Sequence, residues 1–508
     1  MSLFEINKFC LEKGVLIDKD VLKVVDEYNL EIIKSIMNRI IELFDVRIIN
    51  KGFFESSERL SKISKLLVGD ENVILNDIVF KLREEGFTDN FIKKKSEREL
   101  SKVKIIDENK VLPKSVNVKD FVNYFNGRFE SMKEILIEKL NFDKLVSIDK
   151  ISSVRSSFSV IGMVYDKKIT KNGNIILEVE DSRSRIKIFI DNSKSELYAL
   201  AEEVVLDSVL GFKGSGNRDI LFCDEIVFPE CSLSERKKSN FDESVLFIGD
   251  LHYGSKRFLR EAFLRFIDYV NSDDEDAKKI KYIFIVGDLV AGVGNYPNQE
   301  KDLESVDLEE QFVGVSELLS KIRNDVSIII SPGNHDCVRL MEPQPVLDKK
   351  YAWSIYDLEN VIIVENPSSV NIGSSESFFG FNVLLYHGFS FFYYTKNLAP
   401  LIKRKAVLNP EIVMKYLLKN RHLAPSHTCV QYFPSEHDKH FVKSIPDVFV
   451  AGHVHKSAVS YYNNVLCVSV SCWEAMSPYM EKMGIVPDFC KVPVFNLKTR
   501  AVKILDFE

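Results

Sequence analysis

Five stretches of this chain run apolar for three to five residues and then stop abruptly at polar ones: "VLFIGDLHYG" (245–254), "YIFIVGDLV" (282–290), "VSIIISPGNHD" (326–336), "NVLLYHG" (382–388) and "DVFVAGHVH" (447–455). Runs that are apolar at every position belong to strands covered on both faces. Between the first two, "FLREAFLRFIDYV" spaces Leu259, Phe263, Phe266, Ile267 and Val270 at helical intervals. Residues 236–508 therefore predict an α/β domain. Upstream the texture changes. "SFSVIGMVYDKKIT", "NIILEVEDS" and "SRIKIFID" alternate apolar and polar positions, with "KNG" as a turn. A helical "SELYALAEEVV" follows, then "SVLGFKG" and "DILFCDEIVF". Five short strands with a helix after the third suit an OB-type β-barrel over 145–235. Its Phe158, Phe189 and Phe212 are read as core, with stacking on nucleic-acid bases as the alternative.

Residues 1–95 read as a helical module. Asp20 is placed to cap one long helix through "VLKVVDEYNLEIIKSIMNRIIELF", and "LNDIVFKLREEGF" predicts another before Gly86. Residues 96–144 are assigned to a linker and a helix. The charged, aromatic-poor 93–118 reads as a solvated tether. The fold class expected is multidomain α+β: a helical N-terminal module, an OB-type barrel and a large α/β domain.

Composition changes this picture little. With 508 residues, 45% hydrophobic and 28% charged, the chain suits several globular domains. Its longest apolar runs are far shorter than a membrane span, and its N-terminus is unlike a signal peptide. Eight scattered cysteines without a C-x-x-C pair read as reduced thiols, hence a cytoplasmic protein. The net charge of −7 gives no global basicity, so nucleic-acid contact would use local cations. Lys256 and Arg257, beside the first apolar run, are the candidates.

Chemistry concentrates where the five runs end. In α/β architecture ligands bind beyond the carboxyl ends of the strands. Asp250, His252, Asp288, Asn334, His387, His453 and His455 all fall there, and Gly249, Gly287, Gly333 and Gly452 each precede one of them. His453 and His455 alternate along one strand end, which points both imidazoles the same way. Oxygen and imidazole donors without thiolate suit Mn²⁺, Fe or Zn²⁺, and also Mg²⁺. Seven donors are too many for one ion and suit two with a bridging carboxylate, the apparatus that hydrolyses phosphate esters. Cys337 has no base partner in the sequence and is read as packing.

D-x-H, G-D, G-N-H-D, H-G and G-H-x-H in this order resemble the calcineurin-like metallophosphoesterase superfamily. Within it, "GDLHYGSKRF", "GDLVAGVGNYPNQ" and the barrel-like segment upstream resemble the small subunit of the archaeal D-family DNA polymerase, over about residues 145–508. The resemblance implies a 3′→5′ proofreading exonuclease with two divalent metals, Mn²⁺ foremost, beside a large catalytic polymerase subunit. No polymerase motif is found in this chain. The resemblance also implies roles. Asp250, His252 and His455 would hold one metal, Asn334, His387 and His453 the other, and Asp288 would bridge. His335 would meet the scissile phosphate and the departing 3′-oxygen, oriented by Asp336. Ala291 departs from relatives that place Asp after "GDLV". DNA with a 3′ end is the implied substrate, and a sliding clamp is a further candidate partner, although "VKILDFE" is no convincing clamp motif. The competing readings are a stand-alone repair nuclease and an inert scaffold subunit.

Overall fold

The computed structural model describes residues 2–26, 28–44, 103–106, 115–139 and 144–508 except 376, 436, 477–479 and 482–485, with scattered positions between 48 and 79. The chain forms two compact units, Met1–Ser101 and Lys102–Glu508. In the first, helices span Ser2–Glu12, Lys19–Val25 and Leu30–Phe44, and β1 (Leu16–Ile17) pairs in parallel with β2 (Ile48–Ile49). Ile33, Ile36, Met37 and Ile40 form the buried stripe of the third helix and share a core with Ile6, Cys10, Val21 and Val25. The single long helix expected here is instead two. Asn29 accepts from the Glu31 backbone N–H at 3.0 Å and so caps a new helix after a break. Of the helix expected before Gly86, Leu75, Asp77, Ile78 and Val79 are described and are helical, while its remainder and most of the expected tether lie outside the described residues.

In the second unit, β4 (Ser156–Ile169), β5 (Ile175–Glu180), β6 (Arg185–Ile190), β7 (Val209–Gly216) and β8 (Ile220–Val227) close a barrel in the order β4-β5-β6-β8-β7. A helix, Ser195–Glu202, follows the third strand. Phe158 and Phe212 are buried in the barrel core, whereas Phe189 is half-buried, edge-on to Phe222 at 5.5 Å.

The remaining strands build two six-stranded sheets. One runs β12 (Val361–Ile363), β11 (Ser327–Ser331), β10 (Ile280–Val286), β9 (Ser244–Ile248), β18 (Lys491–Asn496), β19 (Val502–Asp506). The other runs β16 (Ala458–Tyr462), β17 (Val465–Ser469), β15 (Val448–Ala451), β14 (Phe381–Tyr386), β13 (Ser368–Ile372), β3 (Val103–Ile105). β9, β10, β11 and β12 are mutually parallel, as are β14, β15 and β17. Alternation explains the wholly apolar runs. Val245, Phe247, Phe284 and Val286 face Val383, Leu385, Val448 and Val450 between the sheets. Leu246, Ile248, Ile283 and Ile285 face the other way, onto helical Phe263, Phe266, Phe312 and Val315. Among the described residues no helix is long and apolar enough to cross a membrane.

Two elements ahead of the barrel belong to this unit. β3, inside the stretch expected to be a solvated tether, pairs antiparallel with β13 as an edge strand. Val103 and Ile105 suffice for that, because an edge strand needs only one apolar face. The helix Val118–Lys139 packs Phe129, Met132 and Leu136 on barrel residues Ile161, Met163 and Val209. It also sends Arg128, 1% exposed, to Asp438 at 2.5 Å, and Tyr124 donates to the same carboxylate at 2.7 Å.

Asp438 also accepts from the His440 backbone N–H at 3.0 Å and meets the ring of His422. The His422 Nδ1 accepts from the Ala424 N–H at 3.1 Å while Nε2 faces Asp438 at 2.8 Å, so the buried ring has no site for a second proton. Burial lowers its pKa to about 4 despite Asp438. A depressed pKa contributes stability that is full above the unfolded value of about 6.5 and is lost as pH falls toward 4. His422→Gln keeps one donor and one acceptor but cannot titrate. Thermal melts between pH 7 and 4 should show a shallower loss of Tm in this variant than in the parent; equal slopes would remove His422 from the account.

Candidate metal centre

The ends of β9, β10 and β11 from one sheet and β14 and β15 from the other deliver all seven expected donors to one place. The backbone there is unusual. Asp250, His252, Asp288, His453 and His455 have φ of 50°, 50°, 53°, 70° and 55°, the left-handed region that costs a non-glycine residue about 1 kcal/mol or more. Ladder-like bonds sustain it: Asp250 N–H to the Gly287 carbonyl and His252 N–H to the Asp288 carbonyl, both 3.0 Å. Two glycines make room. A Cβ at Gly287 would lie 2.3 Å from His387 Nδ1, and one at Gly333 would lie 2.2 Å from Asp288 Oδ1.

Asp250, His252 and His455 bring one donor atom each within 4.8 Å of one another, and so do Asp288, His387 and His453. His252 Nε2 is 3.1 Å from His455 Nε2, and His455 Nε2 is 3.6 Å from Asp250 Oδ1. On the other side Asn334 Oδ1 reaches His387 Nε2 at 3.0 Å. Asp288 Oδ2 lies between the groups, 3.8 Å from His252 Nε2 and 3.3 Å from His387 Nε2. A third trio, His252, Asp288 and His335, overlaps both.

Burial opposes charge on His387, but Asp288 raises its pKa to about 10. Burial also opposes ionisation of Asp288, yet His387, His335 and His252 hold its carboxyl well below the ordinary range. His252 and His453 are pushed well below the ordinary imidazole value, first by burial, then by neighbouring histidines. Neutral imidazoles facing ionised carboxylates are the donor forms a divalent cation takes. The donor set fits two divalent ions.

Asp336 differs from expectation. Its carboxylate does not contact His335. It accepts from the backbone N–H groups of Val290 (3.1 Å) and Gly333 (2.8 Å), joining two of the loops, because the turn after Asn334 aims it back into the domain. Burial, then the charge of Asp288, pushes its pKa up to about 7. His335 Nδ1 instead meets the Ala291 carbonyl at 2.8 Å and Asn295 Nδ2 at 3.1 Å. Cys337 is exposed rather than packed. Of the expected cations, Arg257 is bound to Asp302 at 2.8 Å, and exposed Lys256 donates to the Lys301 carbonyl at 2.8 Å.

Two buried amides behind the donors carry no sequence signal. Asn366 Oδ1 accepts from the His387 backbone N–H at 2.8 Å, and its Nδ2 donates to Gln344 Oε1 at 2.7 Å. Together they fix the strand end that bears His387.

A family model for calcineurin-like phosphoesterases matches residues 244–457, and that fold implies divalent metals. The chain is similar to the DNA polymerase II small subunit of Methanothermobacter thermautotrophicus, 33% identical over 400 residues, covering 77% of this chain and 80% of the relative. That of Methanocaldococcus jannaschii is 34% identical over 411 residues, covering 78% and 67%. That of Thermoplasma acidophilum is 29% identical over 468 residues, covering 90% and 91%.

Proposed function

This chain belongs to the family of DNA polymerase II small subunits, and from that premise we propose that it is a two-metal 3′→5′ exodeoxyribonuclease working beside a large catalytic polymerase subunit. The observation that carries the reading is the convergence of a complete set of seven oxygen and imidazole donors, five of them held in left-handed backbone. Asp250, His252 and His455 would hold one ion, Asn334, His387 and His453 the other, and Asp288 would serve both. Two divalent ions, Mn²⁺ foremost, would neutralise the phosphodiester oxygens and supply an activated water for in-line attack. His335, with Nδ1 engaged by Ala291, offers Nε2 to the departing 3′-oxygen. Asp336 locks the loops that carry Asp288 and Asn334. The helical module (1–95), the linker and helix (96–144), the OB-like barrel (145–235) and the phosphoesterase domain (236–508) are the proposed parts.

Because β3 and the helix Val118–Lys139 complete the second unit, residues 102–508 are the fragment to test. It should co-purify with the large polymerase subunit, since stable pairs bury about 2,000 Å² or more. A fragment that degrades DNA yet binds no polymerase subunit would favour a stand-alone repair nuclease.

DNA contact gives a separate prediction. Arg257 is spent on Asp302, so Lys256 is the better phosphate partner of the two. Lys256→Ala should lower the log–log salt slope of single-stranded DNA binding by about 0.7, and Arg257→Ala by less. An unchanged slope with Lys256→Ala would mean that the strand is held elsewhere.

A further inference from the structure

The turn from Ala291 to Asn295 holds no expected metal donor, yet it is fastened unlike an ordinary surface loop. The Ala291 carbonyl lies within hydrogen-bond distance of three nitrogen donors: His335 Nδ1 at 2.8 Å, Asn295 Nδ2 at 2.9 Å and Gln299 Nε2 at 2.9 Å. Gln299, only 2% exposed, also accepts from the Asn295 backbone N–H at 2.8 Å. One buried amide therefore clamps both ends of the turn. Its middle is tied down as well, because fully buried Gln311 accepts from the Gly292 N–H at 2.9 Å. The turn lies hard against His335: Gly292 has φ of 69°, and a Cβ there would sit 2.3 Å from the His335 carbonyl oxygen.

Bracing a loop would account for the amides. It would not account for where the Gln299 and Asn295 side chains converge, which is the one oxygen that meets the ring of His335. A neutral imidazole has one N–H and one bare nitrogen, and the hydrogen bond made by one fixes the state of the other. At 2.8 Å from a carbonyl oxygen, Nδ1 carries the hydrogen. Asn295 Nδ2, 3.1 Å from Nδ1, is itself a donor and directs its hydrogen to the same carbonyl, so it bounds the ring on that side. Nε2 is then the bare nitrogen presented to substrate, and it must take up a proton, giving an imidazolium with Nδ1–H still on the Ala291 carbonyl, before it can pass one to the departing oxygen. Asp336, next in sequence, takes no part because its oxygens are on Val290 and Gly333.

We infer that Gln299 is a positioning residue for His335: it holds the Ala291 carbonyl where that oxygen fixes the tautomer and the aim of the imidazole toward a DNA phosphodiester. The inference rests on the reading of His335 as the group that meets the departing oxygen.

Gln299→Met and Gln299→Glu in the full chain test it. Met removes both amide contacts. Ionised Glu keeps the acceptor for the Asn295 N–H and removes the donor to Ala291, so a folding defect in the first variant does not decide the outcome. On a single-stranded oligonucleotide both should lose about 10–100-fold in kcat, the usual cost of losing a supporting hydrogen bond around such a centre. KM should stay within about twofold, and bound metal should be unchanged. The distinguishing readout is the ring ¹⁵N spectrum of His335 in histidine-labelled protein with Mg²⁺. The parent should show a single Nδ1–H tautomer and the variants a mixture. An Nδ1–H signature unchanged in both variants would overturn the inference, whatever the rates. Should the parent cleave no DNA, the proposed nuclease function fails while the tautomer comparison still judges Gln299.

Discussion

Asp288→Ala should release both metal ions together and reduce nuclease activity on the order of 10³-fold or more, since loss of even one electrostatic stabiliser in a preorganised site costs about 10²–10³-fold. Three features of one side chain combine. Oδ2 stands between His252 and His387, at 3.8 and 3.3 Å, so neither donor group is complete without it. Oδ1 accepts from the His335 backbone N–H at 2.7 Å and so ties the G-N-H-D loop to the end of β10. Asp288 is also the charge that draws a proton to His387, so the variant loses the electrostatic reason for a cation to bind. The sheets should persist, because their core lies between strands and not at the loops. Metal analysis of the purified variant should give a content falling from two ions per chain toward none. Two ions retained would contradict the shared role of Asp288.

His335→Ala should have the opposite metal result. Its contact with Asp288 runs through the backbone N–H, which alanine keeps, so the donor groups survive. What disappears is the imidazole held by Ala291. A positioned general acid typically contributes about 10²–10⁴-fold, and kcat should fall by that amount with two ions still bound. If metal content collapsed as well, the trio His252, Asp288 and His335 would be a true ligand set and the departing oxygen would need another proton source.

The central strands were legible because both faces of each are covered, which leaves apolar residues at every position of "VLFI", "YIFIV" and "VFVA". The donors were legible for the complementary reason: a polar residue that ends such a run has no core to enter. The barrel followed from alternation and a helix in the right interval. Other features left no such trace. β3 needs only Val103 and Ile105, too few to stand out from a charged stretch. The break between the two N-terminal helices depends on one side-chain bond from Asn29, which apolar periodicity does not register. The resemblance implied that Asp336 orients His335, but neighbours in a tight turn point apart, and the partner came from a carbonyl 44 residues away in sequence. Gln299, Gln311, Gln344 and Asn366 are buried amides whose partners are set by loop geometry, and an isolated Gln or Asn reads as surface. The left-handed backbone at five non-glycine donors was equally silent.

The claim that this centre is a nuclease, and not an inert remnant inside a polymerase subunit, is met most directly by one assay. The intact chain, with Asp288→Ala beside it, is incubated with a 5′-labelled single-stranded oligonucleotide over a titration of Mn²⁺. The account predicts stepwise shortening from the 3′ end that rises with Mn²⁺ and is lost in the variant. An oligonucleotide left at full length by a parent chain that holds two ions would contradict it.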